Sequence, residues 1–251
     1  NEMNQAADML RRILVCHALA VRSIAFTQDL PMLQPIIETG PDLSPERYEA
    51  FADFDSLLNA QAPLSPSGVA LLEQLYVEVG ETLESPCDLV GGGCSWYCGG
   101  GPDTVWASSS LGASKDRNYA ATNAHDLNVC TAWCEGVEGP GMGEQLVYRF
   151  APDSPRLHTI LVVNGAAHDT VLWQRNNRVR TLAVAENGIP LFTLSLADTM
   201  DIQRFRLPGL LGKREDGQPM ELTFAILSVY QGNRPDDTVI TEIYFDGVDV
   251  H

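Results

Sequence analysis

Between Val105 and Phe245 apolar and polar residues alternate in about eight short runs, and no helical stretch separates them. The runs cover residues 105–109, 146–150, 159–163, 179–184, 191–196, 202–207, 221–229 and 238–245, with Pro, Gly, Asn and Asp between them. A two-residue period places one face of each run on a core, and short strands joined without crossover helices pair antiparallel. The pattern predicts a mostly β fold, an antiparallel β-sandwich or jelly roll. The longer intervals at 112–144, 164–178 and 209–219 are where such a scaffold carries its binding residues.

Upstream the period changes to that of a helix. Ala6, Met9, Leu10, Ile13, Leu14, His17, Ala18, Val21 and Ile24 recur at three- and four-residue steps, the face of one helix over residues 4–26. Ser44-Pro45-Glu46 and Ser65-Pro66-Ser67 are start signals for two more, because Ser caps a helix and Pro suits its first turn. The expected organisation is a small α-helical region at 1–86, a Gly- and Cys-rich connecting loop at 87–103 and a β domain at 104–251. The Gly-rich run 87–103 is followed by a strand pattern from Thr104 rather than a helix, which argues against a phosphate cradle.

The 251 residues hold 33 Asp and Glu against 16 Lys and Arg, a formal net charge of −17. That repels nucleic acid and anionic membranes and removes both from the expected partners. No run reaches the roughly 18 uninterrupted apolar residues of a transmembrane segment. Six cysteines, at 16, 87, 94, 98, 130 and 134, suit three disulfides and an oxidising compartment. Their spacing matches no common zinc motif. The chain begins at Asn1 without a signal sequence, as a processed secreted or periplasmic protein would.

The run Asp126-Leu127-Asn128-Val129-Cys130-Thr131-Ala132-Trp133 groups a carboxylate, an amide, a hydroxyl and an indole. Curled, it aims three oxygen-bearing side chains at one centre, which suits a hard cation such as calcium. The same side chains equally satisfy the backbone of a turn. Trp133 is expected in the core.

A set of ordered motifs then becomes recognisable: Tyr97-Cys98-Gly99-Gly100, Ala107-Ser108-Ser109-Ser110-Leu111, Tyr119 with Asn123-Ala124-His125-Asp126, and Thr131-Ala132-Trp133-Cys134-Glu135-Gly136. Val163-Asn164-Gly165, Asn176-Asn177-Arg178-Val179, Ser228-Val229-Tyr230-Gln231-Gly232 and Asp237-Thr238-Val239-Ile240-Thr241-Glu242-Ile243 follow. From residue 95 onward the chain resembles the NADase-type glycan-binding domains, discoidin-like (F5/8 type C), galactose-binding-like β-sandwiches. The resemblance implies a non-catalytic module that binds a glycan or another cell-surface ligand, and it implies nothing about NAD cleavage. It also implies a structural calcium as cofactor, held by Asp126, Asn128, Thr131 and the late Glu242. Leu127 departs from the glycine usual in such loops. Cys130 and Cys134 depart as well, and on this resemblance they are expected to bond to each other.

For a glycan site the loops offer Trp173, Tyr230 and Tyr119 for stacking, with Glu135, Glu138, Asn164, His168, Asn176, Asn177, Arg178 and Asp237 as polar partners. Asn164-Gly165 is also a turn, and Arg178 also suits a bidentate pair with Glu135 or Glu144. Glu135 with Glu138 is the carboxylate pair that would suggest a glycosidase, and Cys16-His17 are adjacent but point apart on a helix; no enzymatic activity is expected. The competing reading is a protein-interaction or adhesion module with the helical region as its docking surface.

Overall fold

The computed structural model describes residues 30–79, 85–90, 95–115, 117–233 and 237–250. The helix expected over 4–26 lies outside them, as do Cys16 and Cys94. Eleven strands are described: β1 (Met32–Leu33), β2 (Ile36–Glu38), β3 (Thr104–Ala107), β4 (Trp133–Cys134), β5 (Gln145–Phe150), β6 (Leu157–Asn164), β7 (Asn177–Glu186), β8 (Ile189–Ser195), β9 (Ile202–Leu211), β10 (Met220–Tyr230) and β11 (Thr238–Gly247). The hydrogen-bonded path runs β2-β9-β6-β11-β7-β10-β5-β3, with β8 and then β1 beyond β7 and β4 beside β11. Only two residue pairs, Thr238 with Asn177 and Val239 with Arg178, join β11 to β7, in parallel. There the path folds over into two layers, β2-β9-β6-β11 against β8-β7-β10-β5-β3.

The alternation explains the core between the layers. Ile160 and Val162 of β6, Phe205 of β9, and Ile243 and Phe245 of β11 meet Leu146, Tyr148 and Phe150 of β5, Leu182 and Val184 of β7, and Leu222, Phe224 and Ile226 of β10. Phe245 sits edge-on to Tyr148 and Phe150 at ring distances of 5.3 and 5.2 Å, which ties the layers at their centre. Mostly β architecture with a sandwich core is what the two-residue period calls for.

The outer face of the β6–β11 layer is buried too. Leu161, Val163 and Tyr244 carry Leu89, Val90 and Leu127 upon them, so the connecting loop acts as a strap over the sheet. Its residues 87–89 run antiparallel to 127–129: the Leu89 N–H donates to the Leu127 carbonyl at 2.9 Å and the Val129 N–H to the Cys87 carbonyl at 2.8 Å.

This pairing decides the disulfide, and it corrects the expected Cys130–Cys134 bond. Cys130 is bonded to Cys87, with Cα atoms 5.5 Å apart and a separation of 43 positions in sequence. Cys134 belongs to β4, where it pairs with Val239 of β11, and its buried thiol is unbonded. The strand pairing directs Cys134 among Ala132, Ala166 and Val239, while Cys130 faces the strap.

Two described helices fall where their caps predict. In α1 (Pro45–Leu58) the Ser44 hydroxyl accepts from the Arg47 N–H, with Pro45 in the first turn; α2 is Pro66–Val79. They share a small core of Ala50, Phe51, Leu75 and Val79. The region assigned to helices also contains β1 and β2, which pair with β8 and β9 as outer strands of the sandwich. Pro31 and Pro35 isolate these runs to two and three residues, so sheet pairing rather than periodicity makes them strands.

Candidate functional site

Asp126, Leu127 and Asn128 form a tight loop above β11. The backbone at Leu127 is left-handed, with φ of 60°, where glycine would be unstrained. Its side chain is held in the strap cluster, and its carbonyl is bonded to Leu89. The Asp126 carboxylate accepts from the Asn128 N–H at 3.1 Å and from the Thr131 hydroxyl at 2.7 Å. The Asn128 side-chain oxygen accepts from the Cys130 N–H at 2.9 Å. Glu242 rises from β11 beneath the loop, fully buried. One of its oxygens accepts from the Asn128 N–H at 3.0 Å, while Oε2 is buried without a partner. Burial, and then the neighbouring Asp126 carboxylate, hold the Glu242 carboxyl well above the usual carboxylate range. Trp133 lies fully buried beside this loop, its indole N–H donating to the Ser109 carbonyl at 2.9 Å.

A cation is tested by this geometry. The orphaned Glu242 oxygen beside Asp126 fits a hard divalent ion, which would supply the missing partner and neutralise both carboxylates. Both Asp126 oxygens, the Asn128 side-chain oxygen and the Thr131 hydroxyl already bond within the loop, so each would exchange a hydrogen bond for the ion. No cluster of three or more His, Cys, Asp or Glu suited to a metal occurs among the described residues. A bound ion would therefore complete its shell from backbone carbonyls, loop oxygens and water.

On the far side of Cys130 and Thr131 a cleft of about 420 Å³ opens, within the size range of small-molecule sites. β4 and the residues before it contribute Cys130, Thr131, Ala132 and Cys134; the 111–123 segment contributes Leu111, Arg117, Asn118, Tyr119 and Asn123. The 166–176 segment adds Ala166, His168, Leu172 and Asn176, and the start of β11 adds Asp237 and Val239. Asn123 ties the walls together, donating to the Asn118 carbonyl at 3.0 Å and the Ala132 carbonyl at 3.2 Å. Helix α3 (Thr170–Arg175) shapes the third wall, capped by Asp169, which accepts from the Val171 and Leu172 N–H groups. His168 Nδ1 is buried without a partner; burial first, then the charge of Arg117, lowers the His168 pKa below its ordinary value. Burial raises the Cys134 thiol well above its ordinary range, so it stays protonated.

The residues singled out in the sequence divide among these places. His168 and Asp237 line the cleft, as do Tyr119 and Asn176. Arg178 lies nearly buried in a bidentate pair with Asp198, at 3.0 and 2.9 Å, rather than with Glu135 or Glu144. The order of β7 and the turn after β8 brings Asp198 there. Its guanidinium stacks over Trp173 at 4.4 Å, and the Trp173 N–H donates to the Asn164 carbonyl. Asn164 is fully buried and bonds both polar groups of Val179, at 2.7 and 2.9 Å. Asn177 is likewise buried and accepts from the Gly232 N–H. Glu135 is buried with its two oxygens accepting from Thr238 and Val137 N–H groups; burial pushes its pKa up. Glu138 is exposed on the following turn. Tyr230 donates to the Leu196 carbonyl at 3.0 Å, with Arg180 over its ring. Arg117, Asn118 and Cys134 were not singled out as ligand residues. The one available signal was their position in the 112–144 interval.

Residues 96–246 match the family model described as NAD glycohydrolase translocation F5/8 type C domain. No match was found among curated proteins. Among solved structures the chain is similar to the Streptococcus pyogenes NAD+-glycohydrolase translocation domain, at 26% identity over 44% of this chain and 92% of that one, with a TM-score of 0.30. It is similar to the CBM32-1 and CBM32-2 domains of Clostridium perfringens ZmpB, at 10% identity over 82% and 58%, TM-score 0.43. A mutant of the arabinofuranosyltransferase AftD from Mycobacteria aligns at 21% identity over 57% of this chain, TM-score 0.38, and the chain spans 11% of its length.

Proposed function

We propose, from the premise that this chain belongs to the family of NAD glycohydrolase translocation F5/8 type C domains, that its sandwich is a non-catalytic glycan-binding module of a secreted or periplasmic protein. The cleft beside β4 carries the reading. Tyr119, Leu111, Leu172 and Val239 give it apolar walls for the C–H faces of a sugar, while Arg117, Asn118, Asn176, His168 and Asp237 bring groups that bond hydroxyls. Glu135 spends both oxygens on backbone N–H groups, which speaks against a glycosidase role for the Glu135–Glu138 pair. A disulfide tying the strap to the cleft floor suits an oxidising compartment. Among the described residues no helix is long and apolar enough to cross a membrane.

A structural calcium held by Asp126 and Glu242 belongs to the same proposal. It would supply only charge and rigidity, fixing the loop that ends in Cys130 and Thr131 at the cleft floor. A glycan array probed with the full chain, with and without EDTA, is the test. Binding to a defined group of glycans is expected, weakened by EDTA; no binding to any glycan would sink the reading.

A second reading has its own observation. Helix α2 exposes Val69, Leu71, Tyr76 and Val77, the last at 85%, more apolar surface than a solvated helix needs. A protein partner docking there would be captured by the full chain and lost on Val77→Glu.

A further inference from the structure

We infer that the sugar taken by this cleft is acidic, a uronic or sialic acid residue whose carboxylate is received by Arg117; the inference rests on the glycan-binding reading above. In a chain of net charge −17 several arginines are taken up by the fold's own carboxylates. Arg156, Arg178, Arg204 and Arg214 are each held by a carboxylate of the fold. Arg117 lines the cleft, exposed, and its guanidinium makes no hydrogen bond or ion pair among the described residues. Asp169, whose carboxylate feels the Arg117 charge without an ion pair to it, has one oxygen occupied at the α3 cap by the Val171 and Leu172 N–H groups, at 2.8 and 2.9 Å. A planar fork of donors at the wall of a cleft is matched by a carboxylate on the ligand.

The remaining polar groups give the site a direction. His168 stands on the Arg117 side, its pKa lowered first by burial and then by that arginine's charge. Asp237 acts instead on Cys134 and Glu135, at the start of β11. A carboxylate there would be repelled, whereas hydroxyls would be bonded. The ligand is therefore oriented with its acid group at Arg117 and its hydroxyl edge toward Asp237, its ring against Tyr119.

The test is calorimetric titration of the full chain with matched pairs that differ by the acid: galactose and galacturonic acid, glucose and glucuronic acid, lactose and sialyllactose. At least one acidic member is expected to bind about tenfold tighter than its neutral counterpart, the size of one charge-assisted contact. That ratio is expected to shrink as salt is raised and to fall near one in Arg117→Gln, an exposed position whose replacement leaves the core untouched. Neutral sugars binding as well as their acids would overturn the inference and leave the glycan reading standing. A preference that survives Arg117→Gln would overturn the assignment of the residue. No binding by any member, beside binding of neutral glycans on the array, would overturn the inference alone; silence on the array as well would overturn both.

Discussion

Glu242 is the residue on which the loop above β11 turns, because a fully buried carboxylate with one unpartnered oxygen is unfavourable unless a proton or a cation joins it. Its folded pKa is raised, so the folded state holds its proton more tightly than the unfolded chain does. The resulting stability is present below the unfolded value of about 4.3 and is lost as pH rises through the folded value. In EDTA at neutral pH, Glu242→Gln is therefore expected to stabilise the protein, by about 1 kcal/mol or more. That is a rise in Tm of roughly 2–4 °C for a chain of this size. With calcium the sign should reverse, since Gln is a poorer ligand. Thermal melts of both proteins in both buffers check this, and a Tm of the native chain that ignores calcium would contradict the ion. Arg178 makes a different prediction. Its nearly buried guanidinium bonds Asp198 and the Asn176 and Gln231 carbonyls, so Arg178→Ala should cost about 2–3 kcal/mol of stability, measurable by urea unfolding, with Asp198's partial exposure moderating the loss.

At the scale of elements, the Cys87–Cys130 bond joins the strap to the cleft floor, and the Tyr48 hydroxyl of α1 rests 3.4 and 3.5 Å from the two sulfurs. Closing 43 residues of sequence constrains the unfolded chain by about 4 kcal/mol in the loop-entropy picture. Cys87→Ser with Cys130→Ser should lower stability by an amount of that order, and Cys134→Ser should leave the disulfide intact in unreduced peptide maps. The strands were legible because alternation is a local signal. The disulfide was not, because it depends on residues 87–89 lying antiparallel to 127–129, a pairing between two irregular segments with no period of their own. Strands β1 and β2 were hidden for a related reason: two or three residues between prolines carry no period, and β8 and β9 define them.

Across the whole molecule, the sandwich followed from composition and periodicity, while the cleft did not. Its walls come from four separate stretches, so the sequence could name the 112–144 and 164–178 intervals without saying which side chains converge. Asn164, Asn177 and Glu135 look like ligand residues by type, yet each is buried bonding backbone; polar residues at the corners of a sandwich hold its turns as readily as they hold a sugar. The loop from Asp126 to Thr131 was legible as a motif, and its relation to the cleft floor through Cys130 and Thr131 emerged only from the fold. A glycan bound between Tyr119 and Asp237 is tested most directly by the affinity of Tyr119→Ala for the glycan found on the array. Ile189→Ser, on the exposed hairpin at the other end of β7, is the control. The account predicts a loss of about tenfold or more for Tyr119→Ala, in line with removal of a stacking ring, and no change for Ile189→Ser. Full affinity in Tyr119→Ala would place the sugar elsewhere and contradict it.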